Sequence, residues 1–163
     1  MIGKVFELKK DNKIIGFTAS SFDCLHAGHV TMLAETKSRC DFLIVGLLTD
    51  PTIDRSYKNK PVQSSLERWI QVASVEFVDM VIPFDTEKDL EDMLNLIKPN
   101  IRGVGEEYRD VEFTGKQIQD IDIYYNKRSH SFSTSELRER IVNAGSVKPT
   151  TVQPTAPIKE TIK

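Results

Sequence analysis

The sequence predicts an α/β fold, a single domain with a mostly parallel sheet flanked by helices. Three observations carry that expectation. Short apolar runs alternate with segments of helical period over residues 14–144. One run, Phe42-Leu43-Ile44-Val45-Gly46-Leu47-Leu48, is apolar throughout, as a strand covered by helices on both faces must be. The length of 163 residues allows one compact domain and not two.

The elements follow in order. Residues 1–13 are mixed and charged, and Lys9-Lys10-Asp11-Asn12-Lys13 reads as a turn. Ile14-Ile15-Gly16-Phe17-Thr18 reads as a buried strand. After a loop over residues 19–26, Val30, Leu33 and Ala34 fall at i, i+3 and i+4 and predict a helix over about residues 28–38. Thr49-Asp50-Pro51 ends the Phe42–Leu48 strand. The polar loop 50–63 carries Arg55, Lys58 and Lys60, and a loop that long is often functional. Ser64 or Ser65 can cap the next helix, whose stripe of Leu66, Trp69, Ile70, Ala73 and Phe77 is expected in the core.

Met80-Val81-Ile82 is a further short strand. Thr86 can cap a helix with the stripe Leu90, Met93, Leu94 and Ile97, stopped at Pro99. Residues 101–104 make a poor strand with Arg102 and Gly103 inside it, and residues 105–119 read as loop. Ile121-Asp122-Ile123-Tyr124-Tyr125 reads as the last strand. Ser133-Thr134-Ser135-Glu136 has the form of a capping box for a helix ending near Gly145. The domain is thus expected over residues 1–145. Residues 146–163, with three prolines and four threonines, are expected to form a flexible tail.

Composition excludes several functions. Lys and Arg total 22 against 24 for Asp and Glu, so no basic field favours nucleic acid. No apolar run approaches the ~20 residues of a membrane span. The first residues lack a signal-peptide core, and the two cysteines, Cys24 and Cys40, are too few for a disulfide framework, so a cytoplasmic setting is expected.

Right-handed crossovers place the loops after the strands on one edge, and ligands of such folds bind there. The first of these loops reads Ser20-Ser21-Phe22-Asp23-Cys24-Leu25-His26-Ala27-Gly28-His29. Two histidines three apart on a first helical turn project from nearly one face, and Gly28 lets a ligand approach the backbone. The open amides of a helix N-terminus favour a phosphate, and imidazole donors can stabilise charge on a five-coordinate phosphorus. A metal at the pair would need more ligands than His130 and Cys24 offer, so no protein metal site is expected.

That segment resembles the G-[TS]-F-D-x-x-H-x-G-H signature of the cytidylyltransferase-like nucleotidyltransferases, with Ser20 where glycine usually opens the motif. Three further segments occur in the family's order. Glu67-Arg68-Trp69-Ile70, followed by Val78-Asp79-Met80-Val81-Ile82-Pro83, is similar to E-R and V-D-E-V-I-P. Val104-Gly105-Glu106-Glu107-Tyr108 resembles the M-G-D-D-W segment of glycerol-3-phosphate cytidylyltransferases. Arg128-Ser129-His130-Ser131-Phe132-Ser133-Thr134-Ser135 resembles R-T-x-G-I-S-T-T. Heptose-phosphate adenylyltransferases share much of this, including a K-P-V approach matched by Lys60-Pro61-Val62.

The resemblance implies a Rossmann-like H-x-G-H fold. It implies transfer of CMP from CTP to a small phosphorylated alcohol such as glycerol 3-phosphate, with release of pyrophosphate. An adenylyltransferase acting from ATP on a sugar phosphate and a non-catalytic nucleotide-binding module are the alternatives. His26, His29, Arg128 and Lys58 would be catalytic. Ser20, Ser21, Phe22, Asp23, Gly28, Gly105, Glu106, Glu107, Ser133 and Thr134 would bind nucleotide. Lys60, Arg68 and Asp50 would bind the acceptor. Ser133 serves equally as a plain cap, Arg68 as half of a surface ion pair, and Lys58 and Lys60 as solvated lysines. Mg²⁺ would arrive with the nucleotide, and a homodimer is expected.

Overall fold

The structure, a computed structural model, describes residues 2–127 and 131–145. The expectations for Arg128 and for the tail 146–163 lie outside them. Five strands form one sheet in the order β3-β2-β1-β4-β5, parallel at every pairing. They are β1 (Ile15–Ser20), β2 (Phe42–Leu48), β3 (Met80–Phe84), β4 (Ile101–Gly105) and β5 (Asp122–Asn126). The chain builds outward from β1 through β2 to β3, then returns to add β4 and β5 on the other side of β1. The strand order therefore reverses between β1 and β4, where a crevice opens at the carboxyl ends.

Helices cover both faces. On one, α1 (Ile2–Lys10) and α4 (Glu87–Ile97) pack Val5, Leu90, Leu94 and Ile97 against Ile15, Phe17 and Ile44. On the other, α2 (Ala27–Lys37) and α3 (Ser65–Ala73) set Leu33 and Val72 against Leu43, Val45 and Leu47. Thr86 caps α4 in a full capping box with Asp89, and the stripe expected there is buried throughout. The last helix among the described residues, α5 (Thr134–Ala144), starts at Ser133, whose hydroxyl accepts from Glu136 N at 3.2 Å.

Two expectations fail. The segment read as charged and turn-like at the N-terminus contains α1; the turn is confined to its end, where Asn12 takes a positive φ of 53°. Among the described side chains of α1 only Val5 and Leu8 pack on the core, too few positions to set up a visible period. The second failure is α3: of the stripe expected in the core, Phe77, beyond the end of the helix, packs against it, but the residues of the helix itself do not. Leu66, Trp69 and Ile70 are 66%, 42% and 51% exposed, and the buried residues are Arg68 and Val72. The helix is rolled by polar contacts at its start. Ser64 and Glu67 close a capping box, and the Arg68 guanidinium reaches under the end of β2. Four carbonyl acceptors for one buried cation outweigh a few exposed apolar side chains.

Candidate active site

The crevice between β1 and β4 holds a cavity of about 920 Å³. Its floor is the loop that leaves β1. Phe22 and Cys24 take positive φ of 48° and 49°, turning Asp23 inward. The Asp23 carboxylate accepts from Gln63 N at 3.0 Å and from Arg138 of α5 at 2.5 Å. One buried acid thus ties this loop to the segment before α3 and to α5. Burial pushes the Asp23 carboxyl up, but the Gln63 N–H and the Arg138 guanidinium outweigh it and hold it below the usual range.

His26 caps α2 through its own ring. Gly28 N–H donates to Nδ1 at 3.1 Å. Nδ1 is therefore the acceptor nitrogen, and a neutral ring carries its proton on Nε2. That Nε2 lies 3.3 Å from Thr134 Oγ1, which also donates to Asp23 O at 3.4 Å. His29 stacks on His26 with ring centroids 4.0 Å apart and planes 24° from parallel. Its Nδ1 is sealed from solvent without a partner among the described residues. Burial first, and then the neighbouring His26, lower its pKa from 6.5 to about 4. At neutral pH His29 is uncharged, so it acts as a hydrogen-bonding dipole and not as a fixed cation.

That shift has a sign. Between about pH 6.5 and 4 the unfolded chain binds a proton that folded His29 does not. Stability is then fully present above 6.5 and falls as the pH drops toward 4. Thermal melts from pH 7.5 to 4.5 should show this decline, and His29→Asn should flatten it; an unchanged slope in the variant would remove the assignment.

Most of the residues expected from the sequence meet here. Ser20, Ser21, Asp23, His26, Gly28 and His29 line the cavity from the β1 side, Gly105 from the end of β4 and Glu107 from the turn after it, Ser133 and Thr134 from the start of α5, and Lys58 from the long loop. More than a hundred positions separate His26 from Thr134, and parallel crossovers bring them into contact.

Others go elsewhere. Phe22 is fully buried and supports His29 from behind, ring centroids 5.2 Å apart, instead of touching a ligand. Glu106 turns away and pairs with Arg109 at 3.7 Å. Lys60 is mostly exposed and pairs at 3.7 Å with Asp50, whose carboxylate also holds the following turn through Thr52; neither lines the cavity. Arg68 is 1% exposed and donates to the carbonyls of Ser21, Leu48, Thr49 and Gln63. It fastens the floor of the cavity from beneath and has no face toward a ligand.

The cavity also holds Arg55, named above only as part of the long loop, and three cations to which the sequence assigned no role: Arg102, Lys127 and Arg138. Arg138 lies one helical turn beyond Thr134, a spacing that could have flagged it. Arg102 carried a signal too, as a charge inside an otherwise strand-like run. Among the described residues no three His, Cys, Asp or Glu side chains converge as a metal site, and no helix is long and apolar enough to cross a membrane.

The model of a family described as cytidylyltransferase-like matches residues 17–140, from the middle of β1 into α5. The chain belongs to that family. Among curated proteins it is similar to the bifunctional protein HldE of Campylobacter jejuni, 36% identical over 139 residues, covering 82% of this chain and 29% of that protein. The bifunctional protein HldE of Caulobacter vibrioides is 36% identical over 105 residues, covering 64% of the chain and 22% of the relative. The chain thus spans less than a third of the curated relatives it matches. Among solved structures, a pantoate-beta-alanine ligase from Francisella tularensis aligns with a TM-score of 0.58 at 19% identity, over 88% of this chain and 75% of that one. A lipopolysaccharide core biosynthesis protein from Thermoplasma volcanium aligns at 0.52 and 24%, over 82% and 89%. At those identities the two structures speak for the shared fold.

Proposed function

We propose that the chain is a nucleotidyltransferase that moves a nucleoside monophosphate from a triphosphate to the phosphate of a small phosphorylated acceptor and releases pyrophosphate. The observation that carries this reading is the stacked His26–His29 pair, with His26 Nε2 3.3 Å from Thr134 at the N-terminus of α5, inside one cavity at the sheet's switch point. An acceptor phosphate oxygen attacks the α-phosphorus in line, and the bond to the departing pyrophosphate breaks. His26 Nε2–H and His29 donate to the oxygens of the crowded phosphorus. The open amides and hydroxyls of Ser133 and Thr134 hold the leaving phosphates. Lys58 and Arg128 add charge, and positioning supplies much of the rest. Mg²⁺ bound with the nucleotide would neutralise the phosphates, held chiefly by their oxygens, since Asp23 is already committed to Gln63 and Arg138.

The sequence favoured CTP and a glycerol 3-phosphate-like alcohol. The HldE relatives support its alternative better, an adenylyl transfer from ATP to a sugar phosphate of the heptose-phosphate type. A matrix of ATP and CTP against sugar phosphates and glycerol 3-phosphate, read by pyrophosphate release with Mg²⁺, separates them. ATP with a sugar phosphate should give the highest rate. CTP with glycerol 3-phosphate leading would restore the cytidylyl reading. Nucleotide binding by calorimetry without pyrophosphate from any pair would make the chain a binding module. The homodimer is part of this proposal, and sedimentation showing only the monomer mass would remove it.

A further inference from the structure

A buried cation stands in the cavity wall, on the opposite face of the sheet from the histidines. A Cβ on Gly103 would meet Thr36 of α2, so Gly103 faces α2. Arg102, its neighbour on β4, therefore faces α4. A Cβ on Gly115 would meet both Arg102 Nη1 and Leu94 of α4, which places the guanidinium there. Arg102 is 6% exposed and lines the cavity together with Phe84 and Leu90 of that face.

The surroundings of Arg102 are incomplete for a buried cation. Nη1 donates to Thr114 O, and the guanidinium carbon lies 5.2 Å from the centre of the Phe113 ring. No carboxylate among the described residues pairs with it. The two acids in the same stretch of wall are engaged elsewhere: Glu87 with Arg55 and Thr114, and Glu112 with Lys116 at 3.2 Å. Burial alone lowers the Arg102 pKa to about 10, which leaves it charged at neutral pH. A guanidinium has five donors, and one is used by Thr114. A buried charge without a counter-ion is costly, and an anion entering the cavity would supply one.

We infer that Arg102 is the anion-binding residue of the acceptor side, and that its ligand is the phosphate monoester that attacks the nucleotide. The inference rests on the nucleotidyl-transfer reading and adds the side from which the acceptor enters. In-line displacement needs the attacking and leaving oxygens on opposite sides of the α-phosphorus. The leaving pyrophosphate lies against α5 and the α2 face, and Arg102 comes from the α4 face. A planar fork there holds two phosphate oxygens and opposes the repulsion between acceptor and nucleotide. The attacking oxygen forms the new P–O bond as the α–β bridge breaks, and the electron pair leaves with pyrophosphate.

The test uses the whole chain and two variants, Arg102→Met and Arg102→Lys. Thermal melts are run with the nucleotide site filled by α,β-methylene ATP, with and without inorganic phosphate. Phosphate should raise the wild-type midpoint, leave Arg102→Met unmoved, and move Arg102→Lys by less than wild type. In pyrophosphate assays with glucose 1-phosphate and glycerol 3-phosphate, the KM for the acceptor should rise about 10-fold or more in Arg102→Met, the scale of a lost charge-assisted bond, while the KM for nucleotide stays within about twofold. A phosphate response in Arg102→Met equal to wild type, no response in wild type, or equal rises in both KM values would overturn the inference and leave Arg102 as a clamp on the Phe113–Thr114 loop. Should Arg102→Met fail to fold, a wild-type response in Arg102→Lys to either probe overturns it. An Arg102-dependent phosphate shift with no pyrophosphate from any acceptor would sink the transfer reading and keep the anion site.

Discussion

Turnover of His26→Ala is expected to fall at least ~10²-fold in pyrophosphate release, the scale for losing one transition-state donor. The fall should lie in kcat more than in KM, because the donor matters most when charge grows on the phosphorus. His26→Gln, whose amide can place a donor near the Nε2 position, should recover part of the loss. His29→Ala should fall by a similar factor, because it too removes a donor, and for a second reason. It removes the ring that His26 stacks on, so His26 loses its orientation along with its neighbour. Melting curves of each variant keep the two effects apart. Undiminished kcat in folded His26→Ala would refute the catalytic assignment.

Arg68→Met should lower stability by about 3–5 kcal/mol, since several buried carbonyls lose their donor at about 1–3 kcal/mol each. The carbonyls of Ser21, Leu48, Thr49 and Gln63 would lose their donor. For a domain of this size the melting temperature should fall on the order of 10 °C. Because Arg68 joins the β1 loop to the end of β2 and the start of α3, the histidine loop should loosen before the sheet does. Hydrogen exchange at residues 20–26 would then rise more than exchange in β2. A melting temperature within about 2 °C of wild type would show that those carbonyls find other partners.

Arg68 and His26 differ in how much of their role a sequence can reveal. His26 and His29 are legible because their chemistry is local: spacing, a glycine and a helix start lie within four residues. Arg68 sits in an equally recognisable motif, yet its partners come from three other stretches of chain, and no periodicity announces them. The same blindness reversed the exposure of α3. Its apolar stripe has a strong helical period, and a period names a face without saying which way the face turns. For α4 the period and the burial agree, because the helix buries only apolar residues of its own and none of its charged side chains competes for its roll. Phe22 shows a further limit. A residue inside a binding motif can serve it from behind, and only the positive φ at Phe22 and Cys24 reveals which side chains turn inward. Arg138 and Arg102 were missed because their roles depend on packing partners, Asp23 in one case and the Phe113 ring in the other.

The most direct test follows the imidazole resonances of His26 and His29 by nitrogen-edited NMR while ATP is added, with assignments from single variants. Saturable movement of both rings, with the His26 Nε2 proton shifting as it exchanges Thr134 for phosphate oxygen, is the expected result. Rings that stay still while calorimetry reports ATP bound elsewhere would contradict the account.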